Sequence, residues 1–260
     1  MTPETFLATH PVFSRHELGA ILPRAKPPGA AGTLTAHLVR WQRLGRIAQV
    51  KRGLYVRKGP DPDFLLLASR MAGDAALAYH TALEAHGIAQ SLFEKLFFVT
   101  WTKTKPVTFH GRTFTPVRPP AALRRGELST RWIETLERSG LEVRATTLER
   151  TAADVLDRPD LAGGLEEAWR SCSAIPAFDL GELEAYVRAL GSRILAAKVG
   201  FFLEGRKEAL AVPEALLRRL RSLIPKAPLY MERGRPGRVL PEWNLVVPVE
   251  LVTGEWAVPA

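Results

Sequence analysis

The chain has a single cysteine, Cys172, in 260 residues. That excludes an internal disulfide and any zinc site built on paired thiolates, and it fits a reducing compartment. In or beside a helix, Cys172 reads as a small packing residue rather than a nucleophile. No stretch approaches the roughly 18 uninterrupted apolar residues that a membrane-spanning helix requires. The start, Met1-Thr2-Pro3-Glu4-Thr5-Phe6, lacks the basic and apolar blocks of a secretory leader. A cytoplasmic protein without membrane contact is the expectation.

Catalytic signatures are missing too. There is no Gly-x-Ser-x-Gly elbow, no His-Glu-x-x-His, no paired-cysteine zinc spacing and no Gly-x-Gly-x-x-Gly. A Mg²⁺-dependent nuclease is the serious enzymatic rival, with Glu94, Lys103 and Lys105 near a strand, but the compact pairing of an acidic residue with Glu-x-Lys is absent. His80 and Glu84 are spaced i, i+4, yet His86 lies six residues from His80, on another part of the helix, so packing or capping histidines are expected. The sequence therefore predicts no enzyme, no metal and no cofactor. Fixed-period repeats and low-complexity tracts are also lacking, and the length suits two domains.

Acidic residues are scarce at one end only. From Met1 to Lys58 there are ten Lys and Arg residues (Arg15, Arg24, Lys26, Arg40, Arg43, Arg46, Lys51, Arg52, Arg57, Lys58) against Glu4 and Glu17, a net of +8. The whole chain has 36 basic and 27 acidic residues, which leaves the other 202 positions at +1. A field so confined is the electrostatic footprint of a polyanion reader, with duplex DNA the leading partner.

The same segment carries a pattern of helices followed by a basic hairpin. Ser14 is placed as an N-cap with Glu17 at N3 to complete a capping box and Phe13 stapled to Leu18, opening a helix to about Leu22 before Pro23. Residues 24–32 are rich in Pro and Gly and read as a brief helical turn or a flexible loop. Thr33 or Thr35 caps the next helix, which runs to Leu44 with Gly45 at C′. Leu34, Leu38 and Trp41 share its inner face, while Ala36, Val39, Arg40 and Arg43 lie opposite. Ile47-Ala48-Gln49-Val50 and Leu54-Tyr55-Val56-Arg57 then form two strands around a Lys51-Arg52-Gly53 turn. Helix, recognition helix and wing in this order predict a winged helix-turn-helix. Its base readers are Arg40, Arg43, Ala36 and Val39, and its phosphate holders are Thr33, Thr35, Arg46, Lys51 and Arg52.

Downstream, Asp61-Pro62-Asp63 marks a boundary, so the expected domains are residues 1–60 and 61–260. An apolar run from Phe64 to Met71 precedes a helix over Ala75–Ala85. Strands are expected over 96–101, 107–109, 112–117, 131–136 and 141–145, with turns at His110-Gly111 and Ser139-Gly140, making a small, mainly antiparallel sheet. Trp101 to Lys105 offers an auxiliary nucleic-acid contact or, preferably, a solvated hairpin end. Thr146 and Glu149 suggest a capping box for a helix to Asp157. Further helices are predicted over 161–173, 180–190, 194–204 and 213–223, the last with Pro213 at N1, and a strand over 243–247. The fold class is thus α+β, with an α-helical carboxy-terminal part. Nine acidic residues between Glu149 and Glu184 form a stretch that is either a set of solvated helix faces or a dock for a basic partner. Arg218, Arg219, Arg221, Arg233, Arg235 and Arg238 form a second basic cluster, a candidate for auxiliary phosphate or acidic-partner contacts.

Leu38-Val39-Arg40-Trp41-Gln42-Arg43-Leu44-Gly45-Arg46-Ile47 with Val50-Lys51-Arg52-Gly53-Leu54-Tyr55-Val56 resembles the winged-helix domain of AbiEi-type antitoxins of type IV abortive-infection toxin-antitoxin pairs. Ala76 to Gly87 resembles the helix after the wing in that family, and Thr147 to Leu156 resembles the start of its helical carboxy-terminal part. The resemblance implies an antitoxin and transcriptional autorepressor of its own operon, active in phage defence, that counteracts a nucleotidyltransferase-type toxin. The alternative is a ligand-sensing winged-helix regulator with no toxin partner.

Overall fold

The structure is a computed structural model that describes residues 1–22, 33–59, 61–124 and 126–256. The linker expected over 24–32 lies outside the described residues. The architecture is mixed α+β and divides into two compact units. Unit 1 comprises residues 1–77, 94–117 and 135–144; unit 2 comprises 78–93, 118–134 and 145–260. The boundary expected at residue 60 falls inside unit 1.

Unit 1 opens with α1 (Pro3–Thr9), capped by the Thr2 hydroxyl on the Thr5 amide, then β1 (Val12–Ser14) and α2 (Arg15–Ile21). The Ser14–Glu17 capping box is formed in full: the Ser14 hydroxyl accepts from the Glu17 amide, and the Glu17 carboxylate accepts from the Ser14 amide at 2.6 Å. Two orphan donors at the helix start are thereby satisfied. Next come α3 (Leu34–Arg43), β2 (Ile47–Lys51) and β3 (Leu54–Arg57). The three strands form one sheet in the order β1-β3-β2, antiparallel throughout, with a bulge between Gln49 and Lys51. Sequence periodicity found the hairpin but missed α1 and β1.

One apolar core holds these elements together. Phe6, Leu7, Phe13, Leu18, Leu38, Trp41, Ile47 and Tyr55 are all buried and mutually packed. Phe13 is its centre, edge-on to Phe6 at 5.3 Å and to Trp41 at 6.3 Å and stacked on Tyr55 at 5.7 Å between ring centroids. Arg57 on β3 donates to the Ala8 carbonyl at 2.6 Å, satisfying the end of α1.

The rest of unit 1 begins with α4 (Phe64–Ser69), capped by Asp63, whose carboxylate accepts from the Leu65 and Leu66 amides and from Arg138. Then follow β4 (Ala76–Leu77), β5 (Lys95–Val99), β6 (Val107–Phe109), β7 (Arg112–Val117), β8 (Ile133–Arg138) and β9 (Leu141–Thr146), with α5 (His80–Ala85), which belongs to unit 2, between β4 and β5 in the chain. The six strands lie in the order β6-β7-β5-β4-β9-β8. β7 pairs antiparallel with β6 and β5 pairs antiparallel with β4, while β5 and β7 run parallel: the β6–β7 hairpin folds outward, so its second arm returns beside β5. The expected helix over 75–85 is correct only from His80. Ala76 and Leu77 pair with Val99 and Phe98 as strand, and Tyr79, at φ 55°, breaks the chain between the two conformations.

Unit 2 contains α5 and adds α6 (Leu148–Asp157), α7 (Leu165–Ser173), α8 (Leu180–Leu190), α9 (Arg193–Gly205) and α10 (Glu214–Arg221). These are followed by β10 (Leu229–Tyr230), β11 (Gly237–Leu240), β12 (Leu245–Pro248) and α11 (Val249–Thr253). Three predicted starts shift. Thr147, not Thr146, caps α6, because Thr146 completes β9. The helix predicted from Leu161 splits, since Gly163 and Gly164 take positive φ and α7 begins only at Leu165. Pro213 is the N-cap of α10 rather than its first residue. The strand expected over 243–247 is β12 from Leu245, central in a β10-β12-β11 sheet, with Trp243 in a preceding 3₁₀ turn.

Helix α6 packs against α5, α7, α8 and α9 and carries a buried ion pair. Asp154 accepts from Arg150 at 3.2 Å and from the Tyr186 hydroxyl at 2.5 Å, and burial pushes the Tyr186 pKa well up, so the phenol stays a donor. Trp243 lies against α9 at Gly200, donates to Glu204 at 2.6 Å and is covered by the Arg221 guanidinium.

A Cβ on Gly200 would stand 2.0 Å from the Trp243 ring. Gly200→Ala should therefore cost about 2 to 3 kcal/mol by overpacking, read as a lower urea midpoint with an unchanged m-value. In unit 1, Asp74 accepts from the Thr100 hydroxyl at 2.5 Å, the Trp101 amide at 2.7 Å and the Thr102 hydroxyl at 2.8 Å. Burial alone would raise its pKa, but these donors outweigh it and hold the carboxyl below its ordinary value. Its contribution is complete above the unfolded-state pKa of about 3.9 and is lost as pH falls through the lower folded value. Asp74→Asn should reduce stability at neutral pH and flatten its acid limb in denaturation curves recorded between those conditions.

Candidate nucleic-acid interface

Helix α3 is oriented by what it buries. Leu38 and Trp41 are 2% and 1% exposed, and the Thr33 hydroxyl accepts from the Ala36 amide at 3.2 Å, which identifies Thr33 rather than Thr35 as the cap. Arg40 and Arg43 are left on the exposed face with Val39, which is 57% exposed, while Ala36 is half-buried. No hydrogen bond or ion pair among the described residues engages the Arg40, Arg43, Arg46 or Arg52 side chains. Four uncommitted guanidinium groups thus stand on α3, on the turn after it and on the hairpin tip. Gly45, at φ 65°, ends the helix in the left-handed conformation expected of its position.

Lys51 is placed differently from expectation. Its ammonium donates to the Met71 carbonyl, so it anchors the hairpin to the loop after α4 and does not project freely from the tip. Burial lowers its pKa. The bulge at Gln49/Lys51 turns the side chain inward, a local feature that alternation along a strand does not reveal.

Arg15 was not singled out from sequence, yet it joins the site. Its guanidinium donates to the Thr35 hydroxyl at 2.9 Å and its backbone amide to the Gly53 carbonyl at 2.7 Å. One residue therefore links the start of α2, the start of α3 and the hairpin turn. The available signal was its place directly after the Ser14 cap, which fixes it on the first turn of α2. Thr35 is thereby an exposed hydroxyl held by a cation.

Neither a family model nor a curated protein sequence matches the chain. Among solved structures, the RV2827C protein from Mycobacterium tuberculosis is similar, with 16% sequence identity and a TM-score of 0.61 over 96% of this chain and 92% of that one. At that identity the likeness is one of fold.

Half of the second basic cluster is neutralised. Arg219 pairs with Glu184 at 2.6 Å, Arg221 with Glu204 and Glu214, and Arg235 with Glu232 and Glu250. Arg218, Arg233 and Arg238 remain exposed without an ion pair among the described residues. The acidic stretch is spent in the same way. Glu166 pairs with Arg170, Glu182 with Arg131, Glu184 also with Arg188, and Asp154 is internal. Glu149 accepts from the Asp179 amide and Glu167 from the Gln90 amide. As a charged docking face, the stretch is mostly compensated from within. His86 Nε2 bonds the Thr146 carbonyl at 2.8 Å, His80 is fully buried beside Phe93, and Cys172 is buried against the Ala152 carbonyl. Among the described residues, no group of three His, Cys, Asp or Glu side chains is arranged to hold a metal ion, and no helix is long and apolar enough to cross a membrane.

The two tip cations should separate in a stability measurement. Lys51→Met leaves the Met71 carbonyl without its donor and should cost about 1 to 2 kcal/mol. Arg52→Ala, on an exposed turn, should stay within about 0.5 kcal/mol of the parent in chemical denaturation.

Proposed function

We propose that residues 1–60 act as a winged helix-turn-helix that binds duplex DNA, and that the protein is an AbiEi-type antitoxin repressing its own operon. The observation that carries the DNA reading is the exposed, unpaired arginine set on α3 and the hairpin, set against the compensated charges of unit 2. The major groove admits a helix, and Arg pairs in bidentate fashion with guanine O6 and N7, so Arg40 and Arg43 are assigned to base edges, with Val39 and Ala36 beside them for apolar contact with thymine methyl groups. Arg46 and Arg52 hold phosphates, together with Arg15 and the Thr33 and Thr35 segment at the start of α3. Lys51 supports the hairpin from behind.

The antitoxin half of the proposal rests on the sequence resemblance over residues 38–56, 76–87 and 147–156. In that reading the larger remainder of the chain counteracts a nucleotidyltransferase-type toxin encoded beside it. A neighbouring nucleotidyltransferase gene is the expected genomic context, and co-expression should restore growth that this neighbour arrests. Failure of a folded chain to restore growth would remove the antitoxin claim and leave the repressor.

DNA binding has its own test. With about five phosphates neutralised, log K should fall with log salt at a slope near −4 to −5 in fluorescence anisotropy titrations; a flat response would overturn the reading. On a duplex selected from a random pool, Arg40→Ala or Arg43→Ala should cost about 1 to 3 kcal/mol and relax preference at one base pair, whereas Arg52→Ala should weaken all sequences alike.

A further inference from the structure

Unit 1 contains a groove of about 1130 Å³ between α2, the hairpin tip, the loop after α4 and β9. Its size lies slightly above the usual span of small-molecule sites, about 300 to 1,000 Å³. Its lining combines two chemistries. Leu22, Leu34, Leu54 and Met71 supply apolar wall, while Arg15, Lys51, Arg52, Arg70 and Arg144 supply five cations. Glu17 is the one carboxylate in that lining among the described residues, and both of its oxygens are occupied, one by the Ser14 amide and one by Arg70 at 2.9 Å.

Three of the five cations are held in place, and of these only Arg70 meets a carboxylate among the described residues. Arg70 is oriented by Glu17 and by donating to the Glu142 carbonyl at 2.9 Å. Arg15 is held on the Thr35 hydroxyl, and Lys51 on the Met71 carbonyl. No hydrogen bond or ion pair among the described residues engages Arg52 or the half-buried Arg144. Preorganised guanidinium forks around a concavity with a net excess of positive charge favour a doubly charged oxyanion, which Arg binds in bidentate fashion. The apolar wall asks for a ligand with an organic body as well as that charge.

We propose that this groove binds a small phosphorylated ligand of nucleoside-phosphate chemistry, and that occupancy draws Arg15 and Arg52 away from DNA. Binding of the ligand stands on the groove alone; the competition rests on the DNA reading above. Arg144 is the residue to vary, because it lines the groove and has no assigned part in DNA contact.

Calorimetric titration of the full chain with AMP, pyrophosphate, adenosine and citrate tests the first step. AMP and pyrophosphate should bind saturably, adenosine and citrate markedly less well. Arg144→Ala and Arg144→Glu should weaken AMP about tenfold or more, with Arg218→Ala, an exposed arginine outside the groove lining, unchanged, and circular dichroism confirming that each variant is folded. No saturable phosphate binding, citrate binding as tightly as pyrophosphate, or AMP affinity unaffected by the folded Arg144 variants would each overturn the inference. For the second step, AMP should lower DNA affinity in the parent chain and fail to do so in Arg144→Glu. DNA binding without AMP binding sinks the groove proposal and leaves the DNA reading standing; AMP binding without DNA binding does the reverse.

Discussion

Phe13 is the point on which the amino-terminal half of the molecule depends. It touches Phe6, Trp41 and Tyr55, and so ties α1, α3 and β3 to a single aromatic centre. Aromatic side chains bury large areas and favour edge-on and offset contacts, which restrict the directions from which neighbours can approach. Once Trp41 and Leu38 are committed inward, helical periodicity leaves Arg40 and Arg43 no other place than solvent. The exposed arginines are thus a consequence of packing, and their outward direction needs no polar partner to enforce it.

The two halves of the chain handle charge by opposite rules. Among the described residues, the arginines of α3 and of the hairpin tip have no ion-pair partner, and the half-buried Lys51 is tied to a carbonyl rather than to a carboxylate. In unit 2 the carboxylates are largely matched: Glu184 serves Arg188 and Arg219, Glu214 serves Lys207 and Arg221, and Asp154 is enclosed with Arg150 and Tyr186. Exposed pairs of this kind add little stability, but they cancel the local field. The positive potential left over is therefore concentrated where the sequence asymmetry placed it.

Much of this was legible from sequence. Capping chemistry located α2, with Ser14 and Glu17 in their expected roles, and three-to-four periodicity identified the buried and exposed faces of α3. Glycine turns located the β6–β7 and β8–β9 hairpins, with His110-Gly111 and Ser139-Gly140 both at positive φ. What escaped depends on distant partners. Val12-Phe13-Ser14 is too short to announce a strand and becomes one only by pairing with β3. Ala76-Leu77 reads as helix because Ala and Leu favour it, until β5 recruits them. The inward turn of Lys51 follows from a bulge, and the Arg15–Thr35 contact joins residues twenty positions apart. Charge composition marked the carboxy-terminal arginines as a cluster, but only folding brings Glu184, Glu204 and Glu250 to them.

The seat of Trp243 on Gly200 has a consequence for synthesis. Helix α9 emerges from the ribosome some forty residues before the indole that covers it. Until that ring arrives, Gly200 leaves a notch in the apolar face of α9 and Glu204 lacks the indole donor. Final packing of α9 is therefore completed only when the carboxy-terminal segment that carries Trp243 docks on it.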